Sequence, residues 1–190
     1  MATAQEIIDA IEGLRRERSA ITVGISGFCG AGKSTFTRQV IKSVEDSARI
    51  RGDDFLDPER SHQRSAEWDG VDRPRLRAEV FEPFRNGKPG LFRRYDWGTH
   101  QLGSPEAIPS AQVLVVDAIG LFNPELDGMF DLTVWVDVDL SLATERGMAR
   151  DRRLGRTHEQ LWNDVWGPNE RDFVVRFDPR ARADYLYTAE

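Results

Sequence analysis

Gly27, Gly32, Lys33 and Ser34 are spaced as G-x-x-x-x-G-K-[ST], a pattern whose chemistry is phosphate binding. Triphosphate oxygens must be gripped without bulk in the way. Gly27, Gly30 and Gly32 therefore let backbone N–H groups approach closely and tolerate positive φ. Phe28, Cys29, Ala31 and Thr35 complete the expected cradle for the nucleotide. The ammonium of Lys33 is expected at the β- and γ-phosphates, and the hydroxyl of Ser34 at Mg²⁺. These residues imply a chain that binds ATP or GTP.

Three carboxylates stand where such chemistry needs them. Asp117 ends the apolar run Val113-Leu114-Val115-Val116, and an acid there is costly to bury without a role, so it is a second candidate for Mg²⁺. A direct contact and one through water are both open. Asp53 and Asp54 follow a short strand, where an aspartate could take the proton of an attacking hydroxyl. Gly52-Asp53 is also ordinary turn chemistry, and from spacing alone the two readings stand level.

The elements that must position these groups are legible in the apolar pattern. Ile7, Ile8, Ile11 and Leu14 mark one face of a helix over Ala4 to Arg18. A strand over 20–26 and a helix over about 33–46 flank the phosphate loop, and a strand over 48–51 leads to Asp53. Residues 56–72 read as irregular. Pro74 opens a helix whose apolar face is Leu76, Val80, Phe81 and Phe84, closed by Asn86-Gly87. Residues 91–110 read as a loop or hairpin over the site. Strands over 113–117 and 132–136, helices over 140–153 and 157–173, and a weak strand at Tyr185-Leu186-Tyr187 complete the chain. Alternating strands and helices predict an α/β fold with a parallel sheet covered on both faces.

Composition narrows the class. The 190 residues suit one domain, 39% are hydrophobic, and the net charge is −6. A general nucleic-acid surface is not expected at that charge, although local arginines can still bind phosphate. No apolar run approaches the ~20 residues of a membrane span. The single cysteine, Cys29, fits a reducing cytoplasm. It lies beside a helix N-terminus that should favour its thiolate. Its oxidation could block nucleotide binding, although a small residue at a tolerant loop position is the reading we favour.

Together these residues resemble the uridine kinase-like branch of P-loop kinases, which also holds pantothenate, phosphoribulo- and nicotinamide riboside kinases. The resemblance runs from Ile21 to about Asp184. It implies a three-layer α/β/α P-loop fold with a mostly parallel five-stranded sheet, and one kinase domain over residues 1–190. Within it an acceptor-binding insertion is expected at about 56–110 and an Arg-rich lid at about 146–157. Asp53-Asp54-Phe55 is similar to the family's Asp-x-Phe segment, which implies Asp53 as catalytic base and Asp54 as the fallback. Trp68-Asp69 resembles the aromatic-Asp step at the ribose hydroxyls. Tyr95-Asp96-Trp97-Gly98-Thr99-His100 resembles a segment whose Tyr and His face a pyrimidine. Arg146, Arg150, Asp151 and Arg156 resemble the lid over the triphosphate; Arg153, three residues after Arg150, could share its helix face toward the phosphates, with Lys33 and Arg150 placed to stabilise the transferred phosphoryl group.

The implied activity is ATP- and Mg²⁺-dependent phosphorylation of a small metabolite, most simply a pyrimidine ribonucleoside, by a cytoplasmic enzyme of a family that often forms homo-oligomers. No nucleic-acid or membrane partner is expected. Departures exist: Asp117-Ala118-Ile119 stands where uridine kinases carry Glu-Gly-Ile, and Leu102 where they carry an arginine. They leave nicotinamide riboside, pantothenate or a sugar open as alternative acceptors. A nucleotide-dependent ATPase or switch is the rival of a different class, and the chain has no guanine-reading Asn/Thr-Lys-x-Asp motif.

Overall fold

A computed structural model describes residues 1–188; the last two residues of the expected 1–190 domain lie outside the described part. The first helix, α1 (Ala4–Arg15), starts on a capping box in which Thr3 and Glu6 satisfy each other's backbone N–H. It ends three residues short of the expected Arg18. Strand β1 (Ile21–Gly27) is buried along its whole length and runs through the phosphate loop into α2 (Lys33–Ser43). Strand β2 (Ser47–Arg51) then enters a tight 3-10 turn, Gly52–Phe55.

The Pro74 helix, α3, spans residues 73–85 in three stretches: Arg73–Leu76, a wider π stretch Arg77–Phe81, and Glu82–Arg85. Asp72 caps it by accepting from the Arg75 N–H at 3.1 Å. Strands β3 (Leu91–Asp96) and β4 (Gln101–Ala107) form an antiparallel hairpin with an irregularity between Arg93 and Tyr95. The remaining elements are β5 (Val113–Asp117), β6 (Leu132–Val136), α4 (Leu140–Arg153), α5 (residues 159–177), α6 (Pro179–Arg182) and β7 (Tyr185–Tyr187).

Helix α5 is longer than expected, reaching Phe177 rather than Phe173. Its π stretch, Trp162–Trp166, lies just before Gly167-Pro168. Pro168 has no N–H to donate, and the widened turn lets the helix continue through it.

The sheet order is β2-β5-β1-β6-β7, and every pairing is parallel. Val113 to Val116 on β5 and Ile21, Val23 and Ile25 on β1 are fully buried, as strands covered on both faces must be. Parallel pairing puts the loops after β1, β2 and β5 on one edge. That edge therefore carries the phosphate loop, Asp53 and Asp117, at the carboxyl ends of the strands where open α/β sheets bind ligands.

A second, smaller apolar cluster lies beside this edge. Leu56, Trp68, Val71, Tyr95, Ile119, Trp162, Trp166 and Phe173 form it. It joins the 56–72 segment, the hairpin and α5.

Candidate active site

Gly30 and Gly32 adopt φ of 89° and 102°, which only glycine enters without strain. Gly32 caps α2 without any side-chain bond. Among the described residues, the N–H groups of Gly32, Lys33 and Ser34 have no backbone acceptor. An uncapped helix end with unpaired donors is a ready anion site. The Lys33 ammonium is parked on the carbonyls of Gly27 and Phe28 at 2.7 and 2.9 Å.

Two helices hold this loop from outside. A Cβ on Gly30 would lie 2.0 Å from the carbonyl oxygen of Ala143, so α4 crosses directly over the loop. From α5, Glu170 accepts the Cys29 N–H at 2.8 Å and is fully buried. Its other carboxylate oxygen is buried without a partner. Burial raises its pKa to about 7, against the pull of Lys33 and the Cys29 bond.

That contact also corrects an expectation about Cys29. Burial, and then the Glu170 carboxylate, push its thiol well above the usual range. The helix N-terminus does not make a thiolate here, because desolvation and a nearby acid both oppose the charge.

Asp117 is buried at the end of β5, and three donors converge on it. Ser34 Oγ donates to Oδ2 at 2.9 Å. Arg49, from β2, donates through Nε to Oδ1 and through Nη2 to Oδ2, both at 2.6 Å. Ser34 and Asp117 supply the hard oxygen donors that Mg²⁺ takes, and this ion is usually held by few protein groups. The donor set therefore fits Mg²⁺, with a guanidinium already against the carboxylate.

Asp53 and Asp54 part company in the turn. Asp54 is buried and pairs with Arg94 of β3 at 3.2 Å; burial outweighs Arg51 and Arg94 and raises its pKa. The Asp53 side chain is 57% exposed, and its one ion pair among the described residues is a 3.9 Å contact with Arg51. Asp53 is the exposed carboxylate of the two, with only that long contact on it.

The expected acceptor residues come together around the second cluster. Tyr95 Oη and His100 Nδ1 are 2.7 Å apart, and the His100 backbone is left-handed at φ 55°. Asp96 secures that turn by accepting from the Gly98 and Thr99 N–H groups. Asp69 accepts from Ser65 Oγ at 2.6 Å and from Arg73 at 3.4 Å. Arg73 is only 1% exposed and also donates to Glu125 and to the Trp68 carbonyl.

The basic lid residues divide. Ala143, Gly147 and Asp151 form the buried face of α4. Asp151 accepts from Trp162 Nε1 at 2.9 Å and pairs with Arg150 and Arg156 at 3.3 and 3.8 Å. Burial opposes its charge, but the Trp162 bond and Arg150 prevail and hold its pKa low. Arg146 and Arg153 lie on the exposed side of the helix.

Glu170, Arg49 and Arg73 carry much of this geometry and were not singled out by sequence. One signal was present for Glu170. It lies on the helical face marked by Trp162, Trp166 and Phe173, where an acid is out of place.

The profile described as "Phosphoribulokinase / Uridine kinase family" matches residues 22–184. The chain belongs to this family. A uridine kinase of Staphylococcus epidermidis is 30% identical over 173 residues, covering 80% of each chain. A uridine kinase of Staphylococcus haemolyticus is also 30% identical, over 166 residues, with the same coverage. Among solved structures, the possible uridine kinase of Bacillus stearothermophilus superposes with a TM-score of 0.69 at 17% identity, over 96% of this chain and 99% of that one. A fructose transport system kinase candidate from Silicibacter sp. TM1040 gives 0.76 at 16% identity, over 98% and 100%. These likenesses establish the P-loop kinase fold.

Proposed function

We propose that this kinase transfers the γ-phosphoryl group of ATP to a hydroxyl of a small metabolite, a pyrimidine ribonucleoside by preference. The observation that carries the reading is one sheet edge bearing both an uncapped phosphate loop and an exposed aspartate, Asp53. The whole chain acts as one kinase domain in this reading.

Each residue has a defined task. The Gly32, Lys33 and Ser34 N–H groups bind phosphate oxygens, with the loop from Gly27 to Thr35 as the cradle. Lys33 leaves the Gly27 and Phe28 carbonyls for the β- and γ-phosphates. Asp53 takes the proton from the acceptor hydroxyl as its oxygen bonds to the γ-phosphorus and ADP leaves. Arg150 and Arg156 exchange Asp151 for phosphate oxygens, joined by Arg146 and Arg153, and neutralise charge on the group in transit. Asp69 holds the ribose hydroxyls, while Tyr95 and His100 face the base. Asp54 anchors the hairpin through Arg94 rather than entering the reaction. Mg²⁺, held through Ser34 and Asp117, would supply charge neutralisation on the triphosphate.

Leu102 favours a second acceptor class, since an apolar side chain stands there in place of the arginine of uridine kinases. The test is ADP production with Mg-ATP against uridine, cytidine, nicotinamide riboside, pantothenate, fructose and no acceptor, with product mass determined. Stimulation by uridine or cytidine and a matching monophosphate is expected. Stimulation only by another acceptor retains the kinase and discards the pyrimidine. Tight ATP binding without stimulation by any acceptor would leave the ATPase or switch reading standing instead.

A further inference from the structure

All three histidines of the chain, His62, His100 and His158, meet in one aromatic nest built from separate segments. The His62 ring lies 5.4 Å from His100, 6.3 Å from Trp97 and 6.2 Å from Trp166, the last with the planes tilted by 38°. His158 lies 5.3 Å from the same Trp166 ring. Tyr95 closes the nest against Trp97 at 5.4 Å. Trp97 remains 40% exposed and His100 is exposed, so the nest opens to solvent.

The backbone around His62 is fixed although its ring is not. Trp166 Nε1 donates to the Ser61 carbonyl at 3.4 Å, and Asn169 Nδ2 donates to the Gln63 carbonyl at 2.9 Å. Asp57 accepts from the Glu59 and Arg60 N–H groups and sets the preceding turn. Both ring nitrogens of His62 lack a hydrogen-bond partner among the described residues. Nearby, the indole N–H of Trp68 and the hydroxyl of Ser61 are buried and unpartnered. Trp68 holds a left-handed backbone at φ 56°, strain that such a bulky residue keeps only where its surroundings enforce it. An imidazole carried on a pinned backbone, with open donor and acceptor positions and walled by indoles, suits a planar ring with polar edges.

We propose that His62 is a specificity residue of the acceptor pocket, reading the edge of a planar heteroaromatic ring that enters between the hairpin tip and Trp166. The inference rests on the kinase reading above for the location of the acceptor, and it narrows the acceptor to heteroaromatic ribosides. Burial, then His100 and His158, lower the His62 pKa, so the ring presents one donor and one acceptor at neutral pH. That pattern matches a ring carrying both a carbonyl and an N–H or amino group.

The test is a tryptophan-fluorescence titration of the whole protein with uridine, cytidine, nicotinamide riboside and ribose, in the presence of Mg-ADP. The turnover panel is run beside it. At least one riboside is expected to quench, with ribose at least about tenfold weaker. His62→Ala should weaken riboside binding and raise acceptor KM about tenfold, with KM for ATP within about twofold. His62→Gln, which keeps a donor and an acceptor, should recover part of the loss. It carries the comparison if the alanine variant folds poorly. Unchanged riboside binding in His62→Ala, equal binding of ribose, or no riboside quenching would overturn the proposal. Ribosides that bind through His62 but are not phosphorylated would sink the kinase reading and leave His62 as the recognition residue of a riboside-binding site without an acceptor role.

Discussion

Arg49 and Asp117 form a bidentate pair across adjacent strands, with both contacts at 2.6 Å. Asp117 sits opposite Arg51 in the register, so Arg49 reaches one pleat along β2 to meet it. The same carboxylate accepts from Ser34 in the phosphate loop. One acid thus ties β2, β5 and α2 together at the edge where the chemistry belongs.

Asp117→Ala should therefore cost more than a lost hydrogen bond. It strands a guanidinium that is only 21% exposed, and an unpaired charge left behind in such a place costs about 2–4 kcal/mol. A fall in Tm of roughly 5–12 °C is expected for a chain of this size. Adding Arg49→Ala should restore at least half of the loss, because no charge is then left unmatched. Equal Tm for wild type and Asp117→Ala would refute the pair as a structural contact.

Glu170 makes stability fall as pH rises. Its folded pKa of about 7 lies above the unfolded value of 4.5, so the native state binds more protons between those values. The favourable contribution is complete below pH 4.5 and is lost as pH rises through 7. The shift corresponds to about 3 kcal/mol. Glu170→Gln should remove that slope, so urea melts from pH 5 to 8 should show the variant gaining on wild type as pH increases. Parallel curves for the two proteins would contradict a buried, proton-holding Glu170.

Asp53→Asn should lower kcat by about 10²–10⁴. Its affinity for ATP should change by no more than about twofold, since Asp53 lies outside the phosphate loop. Asp54→Asn should instead lower Tm by loosening the hairpin through Arg94. Isothermal titration with ATP and single-turnover kinetics separate the two outcomes. Loss of turnover in Asp54→Asn with none in Asp53→Asn would reverse the assignment.

Gly30→Ala tests whether α4 seats the loop. The added Cβ would meet the Ala143 carbonyl oxygen at 2.0 Å on a backbone at φ 89°, so either the loop or the helix must shift. A loss of roughly 1–3 kcal/mol is expected, together with weaker nucleotide binding. Unaltered melting and ATP affinity would mean that the crossing is looser than this contact requires.

The phosphate loop, the strands around it and the parallel sheet were legible in the residues themselves, because their signals are local. Glycine spacing, the alternation of apolar runs and the Pro74 helix start all act within a few positions. Tyr95 and His100 are five apart and meet through one turn. Tertiary structure alone decided which aspartate stays exposed. Asp53 and Asp54 are neighbours with the same chemistry, and burial together with Arg94, 40 residues from Asp54, tells them apart.

The same holds for the contacts that set charge. Arg49 finds Asp117 across 68 positions, and Glu170 finds Cys29 across 141. Desolvation and partner charges are properties of the folded interior, so neither the raised thiol nor the proton-holding acid could be read from residue types. His62, silent in the sequence as a loop residue, acquires a setting only when α5 and the hairpin close around it. Periodicity specifies which face of an element is buried; the sheet register and helix crossings then determine what that face meets.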